Sequence, residues 1–464
     1  MTNKKTVDMT TGSPFKHILG FMIPTLVGFL FQQFYSVADT VIIGRNLGED
    51  SLAAVGATGC LNFMIIGFCI GVCTGFAIPI AQKFGAKDYS GMRRFVANSI
   101  WAASIIAVIM TTVVCILCMS ILRGLNTPSN IINESYTYIW IIFLGIPVTI
   151  MYNLAAGIMR SLGDSKTPVY FLLLSSVINI GLDIIMIKPL GIAGPAWATV
   201  ISQLISGLLC ILYIRKKYEI LKFEKGERKP MNKYIGRLIY MGIPMGLQYS
   251  ITAIGSVILQ SAVNVLGSTY VASSATAMKV SLFFVCPFDA LGSTAATYGG
   301  QNMGARKYDR ISAGLKWAVV IGFVYALIAL AIIVLYGKNF VTLFIDNPSE
   351  LLLENAEMYL KANATCYFFL ALVNTVRFLI QGMGYSVLAI LAGVFEMVAR
   401  GFAGFYLVPK YGYIAACLAS PLAWIMADVF LITAYKLIMR RLRGQEISRQ
   451  EIKTRRPVKV GECS

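Results

Sequence analysis

Long apolar stretches, separated by short polar segments, follow one another along the whole chain. Most are at least about 20 residues long, the length with which an α-helix crosses the hydrocarbon core of a bilayer. Twelve are predicted, at residues 16–43, 52–82, 95–122, 136–160, 168–188, 193–214, 237–265, 272–301, 315–336, 359–382, 386–408 and 412–438. The pattern predicts an all-α polytopic membrane protein with twelve transmembrane helices.

Composition excludes the main soluble classes. Of 464 residues, 57% are hydrophobic and 13% are charged, whereas soluble domains carry about 25% charge. So few polar groups cannot cover the surface of the soluble domains that this length would form. The same composition excludes disordered, collagen-like and disulfide-rich chains. Most cysteines lie in apolar stretches, where they are explained as packing residues. The single histidine, His17, leaves little room for metal or catalytic chemistry based on histidine.

The basic residues are distributed unevenly between the two sides of the predicted bundle. Of the 40 Lys and Arg residues, 31 fall on the side of the termini, six on the opposite side and three within spans. This is the positive-inside pattern, so both termini and the loop Arg215–Arg237 are predicted to be cytoplasmic, in a protein of the plasma membrane. Membrane orientation explains the net charge of +18, and nucleic-acid binding is not favoured.

The second half of the chain repeats motifs of the first half, in the same order and at a nearly constant offset. Residues 20–24 (GFMIP) recur as residues 240–244 (YMGIP), and residues 82–89 (QKFGAKDY) recur as residues 301–308 (QNMGARKY). Six spans per repeat is an even number, which predicts two bundles related by a pseudo-two-fold axis along the membrane normal. The predicted division is an N-terminal tail 1–15, a first bundle 16–214, a basic linker 215–236, a second bundle 237–438 and a basic tail 439–464.

These motifs resemble those of the multidrug and toxic compound extrusion (MATE) family of transporters. The resemblance covers residues 15–440. The matching segments are Ile23-Pro24, residues 75–86 (GFAIPIAQKFGA) with their echo 300–305 (GQNMGA), residues 179–183 (NIGLD) and residues 191–199 (GIAGPAWAT). The resemblance implies two six-helix bundles facing each other in a V. It also implies a monomer that exports organic cations by alternating access, coupled to a cation.

Two acidic residues lie at similar depth in the first half. Asp39 lies five residues before Gly44, near the outer end of the first span, and Asp183 lies five residues before Lys188, at the outer end of the fifth. Asn179 shares a helix face with Asp183, because the two are four residues apart. Two carboxylates and an amide in an apolar bundle predict either a proton site or an oxygen-ligand site for Na⁺.

The resemblance extends residue by residue to Asp39, Asn179 and Asp183, and Thr199 matches a hydroxyl position of the family near that site. It implies that these residues bind the coupling ion, H⁺ or Na⁺, with no cofactor. Pro24, in the first span, is predicted to let that helix bend.

Other polar residues within the spans are candidates for the substrate cleft, and helix–helix hydrogen bonding explains each of them nearly as well. Glu396 and Arg400, one turn apart, either neutralise each other or leave Glu396 to contact a cationic substrate. Arg377 is predicted to extend towards the membrane surface, and Lys279 is a candidate partner for Asp289 or Asp428. The cleft candidates are Gln32, Tyr35, Asn153, Gln248, Glu396 and Arg400.

The prediction for function is secondary active export, not enzymatic catalysis. The phosphate-binding motif of ATP-driven pumps is absent from the sequence, so the gradient of H⁺ or Na⁺ is expected to drive the export of amphipathic organic cations by antiport. The expected partners are small organic cations and the lipid bilayer. A flippase for a lipid-linked precursor is the alternative, but it would need basic residues in the cleft to hold a pyrophosphate, and the first-half cleft is acidic.

Overall fold

The computed structural model describes residues 6–345 and 348–455, and this part of the chain folds into helices joined by short loops, without strands. Ten helices are long and apolar enough to cross a membrane, and two bent helix pairs bring the spans to twelve. Residues 1–5 and 456–464 of the two predicted tails lie outside the described residues. The spans are α1 (Pro14–Leu47), α2 (Glu49–Gly85), α3 (Tyr89–Gly124), α4 (Ile132–Leu144 and Ile146–Ser161), α5 (Lys166–Leu190), α6 (Ala193–Lys217), α7 (Asn232–Leu266), α8 (Ser268–Gly304), α9 (Tyr308–Thr342), α10 (Glu350–Thr365 and Tyr367–Gly382), α11 (Ser386–Tyr411) and α12 (Tyr413–Arg455).

Three helices differ from their predicted form. The two parts of α4 meet at 46° and those of α10 at 52°; in α4 the break precedes Pro147, which lacks the N–H that a continuous helix would use. The helix α12 continues to Arg455. The first part of the predicted tail 439–464 is therefore a helical extension of the last span. In this conformation α1 runs through Pro24 without a break, and bending at that residue stays a prediction.

Equivalent loops of the two halves share backbone conformations. Lys87 and Arg306 each have φ of 58°, a left-handed conformation that is uncommon outside glycine. Gly191 and Gly412, which occupy equivalent positions of the repeat, have φ of 56° and 65°. The bent span is the fourth of each half. The structure therefore has two six-helix bundles with one topology, as the repeat predicts.

The two bundles meet most closely where the basic loops lie, a side that we call the basic face (loops 86–88, 162–165, 218–231, 305–307 and 383–385). There α2 of the first bundle crosses α8 of the second. A Cβ atom on Gly85 would lie 1.9 Å from the carbonyl oxygen of Gln301, and one on Gly304 would lie 1.8 Å from that of Gln82. Only glycine permits this approach of the two backbones.

The N-terminal segment 7–12 lies across both bundles at the basic face. Val7 donates a backbone hydrogen bond to the carbonyl of Leu162 in the first bundle, at 3.0 Å. Met9 donates its backbone N–H to Oε1 of Gln301 in the second bundle, at 2.9 Å, and Arg310 donates to the carbonyl of Met9 at 3.0 Å. The segment therefore adds to the closure of this face.

Candidate functional site

The structure brings together the four residues predicted to bind the coupling ion. Asp183 on α5 is fully buried and Asn179, one turn before it, is 2% exposed. Asp39 on α1 is half-buried, and its carboxyl group lies within hydrogen-bond reach of that of Asp183. Asn179 donates a long hydrogen bond, 3.4 Å, to the hydroxyl of Thr199 on α6. Three neighbouring helices thus supply one polar site within the first bundle.

Four side-chain oxygens at this site have no hydrogen-bond donor among the described residues. Within the described part of the chain, no amide, hydroxyl or cationic group donates a hydrogen bond to Oδ1 of Asp39 or to either carboxylate oxygen of Asp183. The carbonyl oxygen of Asn179 is also unpaired. Two carboxyl groups can hydrogen-bond to each other only when one carries a proton. Chemically, the arrangement is able to hold a shared proton or a small cation.

Two tyrosines border the paired acids. Tyr35, one turn before Asp39 on α1, lies close enough to act on it electrostatically. Tyr138 on α4 lies within the same range of Asp39 and Asp183, and the sequence analysis missed it. Its depth could have been counted from the sequence. Tyr138 lies six residues after the start of α4 and Asp39 lies eight residues before the end of α1, and both helix ends are on the side opposite the basic face.

The other cleft candidates of the first bundle are less closely connected to this site. Gln32 on α1 is half-buried. The half-buried Asn153 donates its side-chain N–H to the carbonyl of Thr149 on its own helix, at 2.9 Å. In the second bundle Gln248 accepts a hydrogen bond from Gln381 on α10. The bond of Gln248 joins two helices, the alternative that the sequence left open for it, whereas the bond of Asn153 stays within its own helix.

A buried charge cluster occupies the second bundle. Glu396 is 3% exposed and accepts a hydrogen bond from Arg377 on α10, while Nη2 of Arg400 lies 3.8 Å from its other oxygen. The prediction that Arg377 extends towards the surface is wrong, because its side chain is 5% exposed and paired in the interior. The ion pair between Glu396 and Arg400 that the sequence left open is present, and Arg377 from the neighbouring helix contacts the same carboxylate.

The second bundle carries two more acids within its spans, one buried and one exposed. Asp428 on α12 is 3% exposed, and neither oxygen has a hydrogen-bond donor among the described residues. Asp289 on α8 accepts a hydrogen bond from Nδ2 of Asn374, at 3.0 Å. Lys279 is exposed and forms an ion pair with neither acid in the described part of the structure, contrary to the pairing considered from the sequence.

Known proteins resemble the chain over most of its length. A MatE family model matches residues 24–185 and again residues 244–404. "Probable multidrug resistance protein YoeA" of Bacillus subtilis (strain 168) is 28% identical over 340 residues, 71% of this chain and 73% of the relative. "Probable multidrug resistance protein YpnP" of the same strain is 28% identical over 381 residues, 82% of this chain and 84% of the relative.

Solved structures share the fold. One described as the outward-facing conformation of a multidrug resistance MATE family transporter aligns with a TM-score of 0.88 and 22% identity, over 96% of this chain and 100% of the other. The agreement extends over both bundles. Since the two segments matched by the family model make up more than half of the sequence, the protein belongs to the MATE family of membrane transporters.

Proposed function

We propose that the protein exports amphipathic organic cations by antiport with protons, using a cleft between the two bundles that opens alternately to either side of the membrane. The observation that carries the proposal is the Asp39–Asp183 pair, in which two carboxyl groups face each other in an apolar bundle without a donor. Like charges at this distance repel strongly, so the pair favours one bound proton. Multidrug resistance is what the names of these two relatives state, and drug export is one cause of such resistance.

In the proposed mechanism, protons and the cationic substrate compete for the negative charge of Asp39 and Asp183. An outward-open cleft admits protons to Asp39 and Asp183, and protonation removes the negative charge that attracts a cationic substrate in the first bundle. Substrate then leaves, and the empty, protonated transporter returns to the inward-open state and releases the proton. Asn179, one turn before Asp183 on α5, donates to Thr199 on α6 and so fixes α5 against α6 beside the paired acids.

The proposal assigns the basic face to the cytoplasm of a plasma-membrane protein that acts as a monomer. The 31 Lys and Arg residues on that side support this orientation. Single-cysteine variants at residues 45 and 225, in a background without native cysteines, would be treated with a membrane-impermeant thiol reagent on intact cells. Labelling is expected at residue 45 only, and labelling at residue 225 alone would reverse the orientation.

Proton coupling is tested with purified protein in liposomes, by imposing a proton gradient or a sodium gradient separately and measuring the movement of ethidium. Wild-type protein is expected to respond to the proton gradient, and Asp183→Asn is expected to lose the response. Asp50→Asn is the matched control, because Asp50 is exposed at the opposite face. Transport driven by sodium alone would contradict proton coupling, and wild-type transport by Asp183→Asn would contradict the ion site.

A further inference from the structure

Asp289 is an acidic residue within a membrane span whose side chain is exposed, although its two chain neighbours on α8 are fully buried. Its hydrogen-bond donor Asn374 belongs to α10 and is 7% exposed, so the carboxyl group lies on the protein side of the helix. One turn earlier, Cys286 lies near Gln33 on α1 of the first bundle, the helix against which α8 packs. Asp289 therefore opens into the cleft between the bundles.

The charge of Asp289 has no direct counterion. Among the described residues no Lys or Arg forms an ion pair with it, and its hydrogen bond comes from the neutral amide of Asn374, 3.0 Å from Oδ1. Arg377 is close enough to act on Asp289 electrostatically, but that guanidinium is hydrogen-bonded to Glu396. A charged residue in a membrane interior is energetically costly. The carboxylate of Asp289 is oriented by Asn374 and is open to the cleft. It is therefore placed to bind a cation that enters through the cleft.

Aromatic rings from both bundles border the same space. Tyr249 on α7 lies within electrostatic range of Asp289, and its ring centroid is 6.1 Å from that of Phe63 on α2. About 9 Å further along α8, the ring of Phe283 lies 5.3 Å from that of Phe34 on α1. Aromatic faces attract organic cations, most strongly where water is excluded. A carboxylate beside such rings matches a flat or aryl-substituted cation better than a hydrated metal ion.

Asp289 is separate from the proposed coupling site in depth and in symmetry. Along α8 it is about 32 Å from the end at Ser268, whereas Asp39 is about 12 Å from the corresponding end of α1 at Leu47. In the register that aligns residues 82–89 with residues 301–308, the equivalent position in the first bundle is the apolar Ile70. The acid is thus a feature of the second bundle alone, on the opposite wall of the cleft.

We propose that the Asp289 carboxylate, oriented by Asn374 and flanked by Tyr249, is the subsite that binds the cationic group of an aryl-substituted organic substrate. This inference rests on the proposed function for its substrate class, but it concerns binding and not coupling. The coupling acids and the substrate acid are then different residues on different bundles, and loss of one site leaves the other in place.

Equilibrium dialysis of tetraphenylphosphonium with detergent-purified, full-length protein tests the subsite without any ion gradient. Asp289→Asn is expected to weaken binding roughly tenfold or more, because a charged partner is lost, and Asp289→Glu is expected to restore most of it. Tyr249→Leu, which changes no charge, is expected to weaken binding several-fold, whereas Tyr249→Phe keeps the ring and the affinity. Asp50→Asn is the matched control for loss of an acid.

The outcomes separate the two proposals. Binding by Asp289→Asn at wild-type affinity, or no binding by the wild-type protein, would overturn the subsite whatever the transport assays show. If Asp289→Asn does not purify as a folded protein, unchanged affinity in Tyr249→Leu would overturn it instead. Binding that depends on Asp289, in a protein whose transport ignores a proton gradient, would support the subsite and contradict the proposed coupling.

Discussion

The side-chain amide of Gln301 donates a hydrogen bond to the backbone carbonyl of Ser161, 3.0 Å away, and so ties the second bundle to the first at the basic face. A related bond runs in the other direction, from Gln82 to the carbonyl of Gly382, also at 3.0 Å. The two donors occupy equivalent positions of the repeat, and so do the two acceptors, at the ends of the fourth and tenth spans. Internal symmetry thus closes the cleft at this face with a crossed pair of hydrogen bonds.

Removing both amides should favour opening of the basic face. Gln82→Met/Gln301→Met removes the two crossed bonds and the bond that Gln301 accepts from Met9. Each bond contributes about 1 kcal/mol, so the equilibrium is expected to shift towards open forms by roughly 100-fold. Hydrogen–deuterium exchange of residues 82–86 and 301–305 would measure the shift. Gln260→Met is the control, because Gln260 makes only an exposed bond to Asn264 on its own helix. Unchanged exchange in the double variant would show that these bonds do not control the face.

A methyl group at the α2–α8 crossing should disrupt the contact between the bundles. In Gly85→Ala the new Cβ would lie 1.9 Å from the carbonyl oxygen of Gln301, so the backbones must separate at a cost of about 1–3 kcal/mol. Gly56→Ala is the control on the same helix, where nothing lies within 4 Å. Thermal denaturation of the purified variants should show a loss for Gly85→Ala only, and equal midpoints would contradict the close crossing.

The fold could be predicted from the sequence because its causes are local or repeated. Apolar length gives the twelve spans, and the recurrence of residues 82–89 at 301–308 gives two bundles of one topology. The depth of Asp39 and Asp183 could be counted from the nearest helix ends, and the structure places their carboxyl groups together. Counting residues in this way works where each span crosses the membrane as one regular helix.

Contacts that depend on the lateral arrangement of helices could not be predicted in this way. The pairing of Arg377 with Glu396 requires α10 and α11 to lie side by side with a particular rotation, and helix periodicity does not encode that rotation. The segment around Met9 reaches Gln301 across 292 residues of sequence. The depth of Tyr138 can be counted from the start of α4, but its approach to Asp39 and Asp183 depends on the lateral packing of that helix.

The linker between the bundles should detach from α3 in acid. Hydrogen bonds from Arg93, at 2.6 Å, and from Ser90 lower the pKa of Glu227 in the 218–231 loop from 4.5 to about 2. Because the folded-state pKa lies below the unfolded value, the stabilisation is present above about pH 4.5 and declines as the pH falls towards 2. Wild-type protein should therefore exceed Glu227→Gln in thermal midpoint at pH 7, with the difference shrinking below pH 4.5.

The neighbouring Glu224 supplies the control for this linker prediction. Its side chain also contacts Arg93 but is 72% exposed, so solvent screens the interaction and Glu224→Gln should change the midpoint little. A difference between wild-type protein and Glu227→Gln that stays constant from pH 7 to pH 3 would show that the Glu227 carboxylate is not responsible.

The charge cluster of the second bundle should make Glu396 a determinant of stability. Glu396→Gln leaves Arg377 and Arg400 without the carboxylate that they share, and an unpaired buried charge costs about 3–5 kcal/mol. Asp428 and Asp289, which lie within electrostatic range of Arg377, are other acids nearby, but neither forms an ion pair with it among the described residues. The thermal midpoint of Glu396→Gln is therefore expected to fall well below that of the wild-type protein.

The double variant Glu396→Gln/Arg377→Gln should recover part of the lost stability, because it removes one of the two guanidinium groups that Glu396→Gln leaves unpaired. Asp309→Asn is the control for loss of an exposed pair, since Asp309 is 94% exposed beside Arg443. Transport assays should separate this structural role from coupling: double-variant protein is expected to keep the proton dependence that Asp183→Asn loses. A double variant less stable than Glu396→Gln would show that Arg377 is held by groups other than Glu396, and a loss of proton dependence would place coupling in the second bundle.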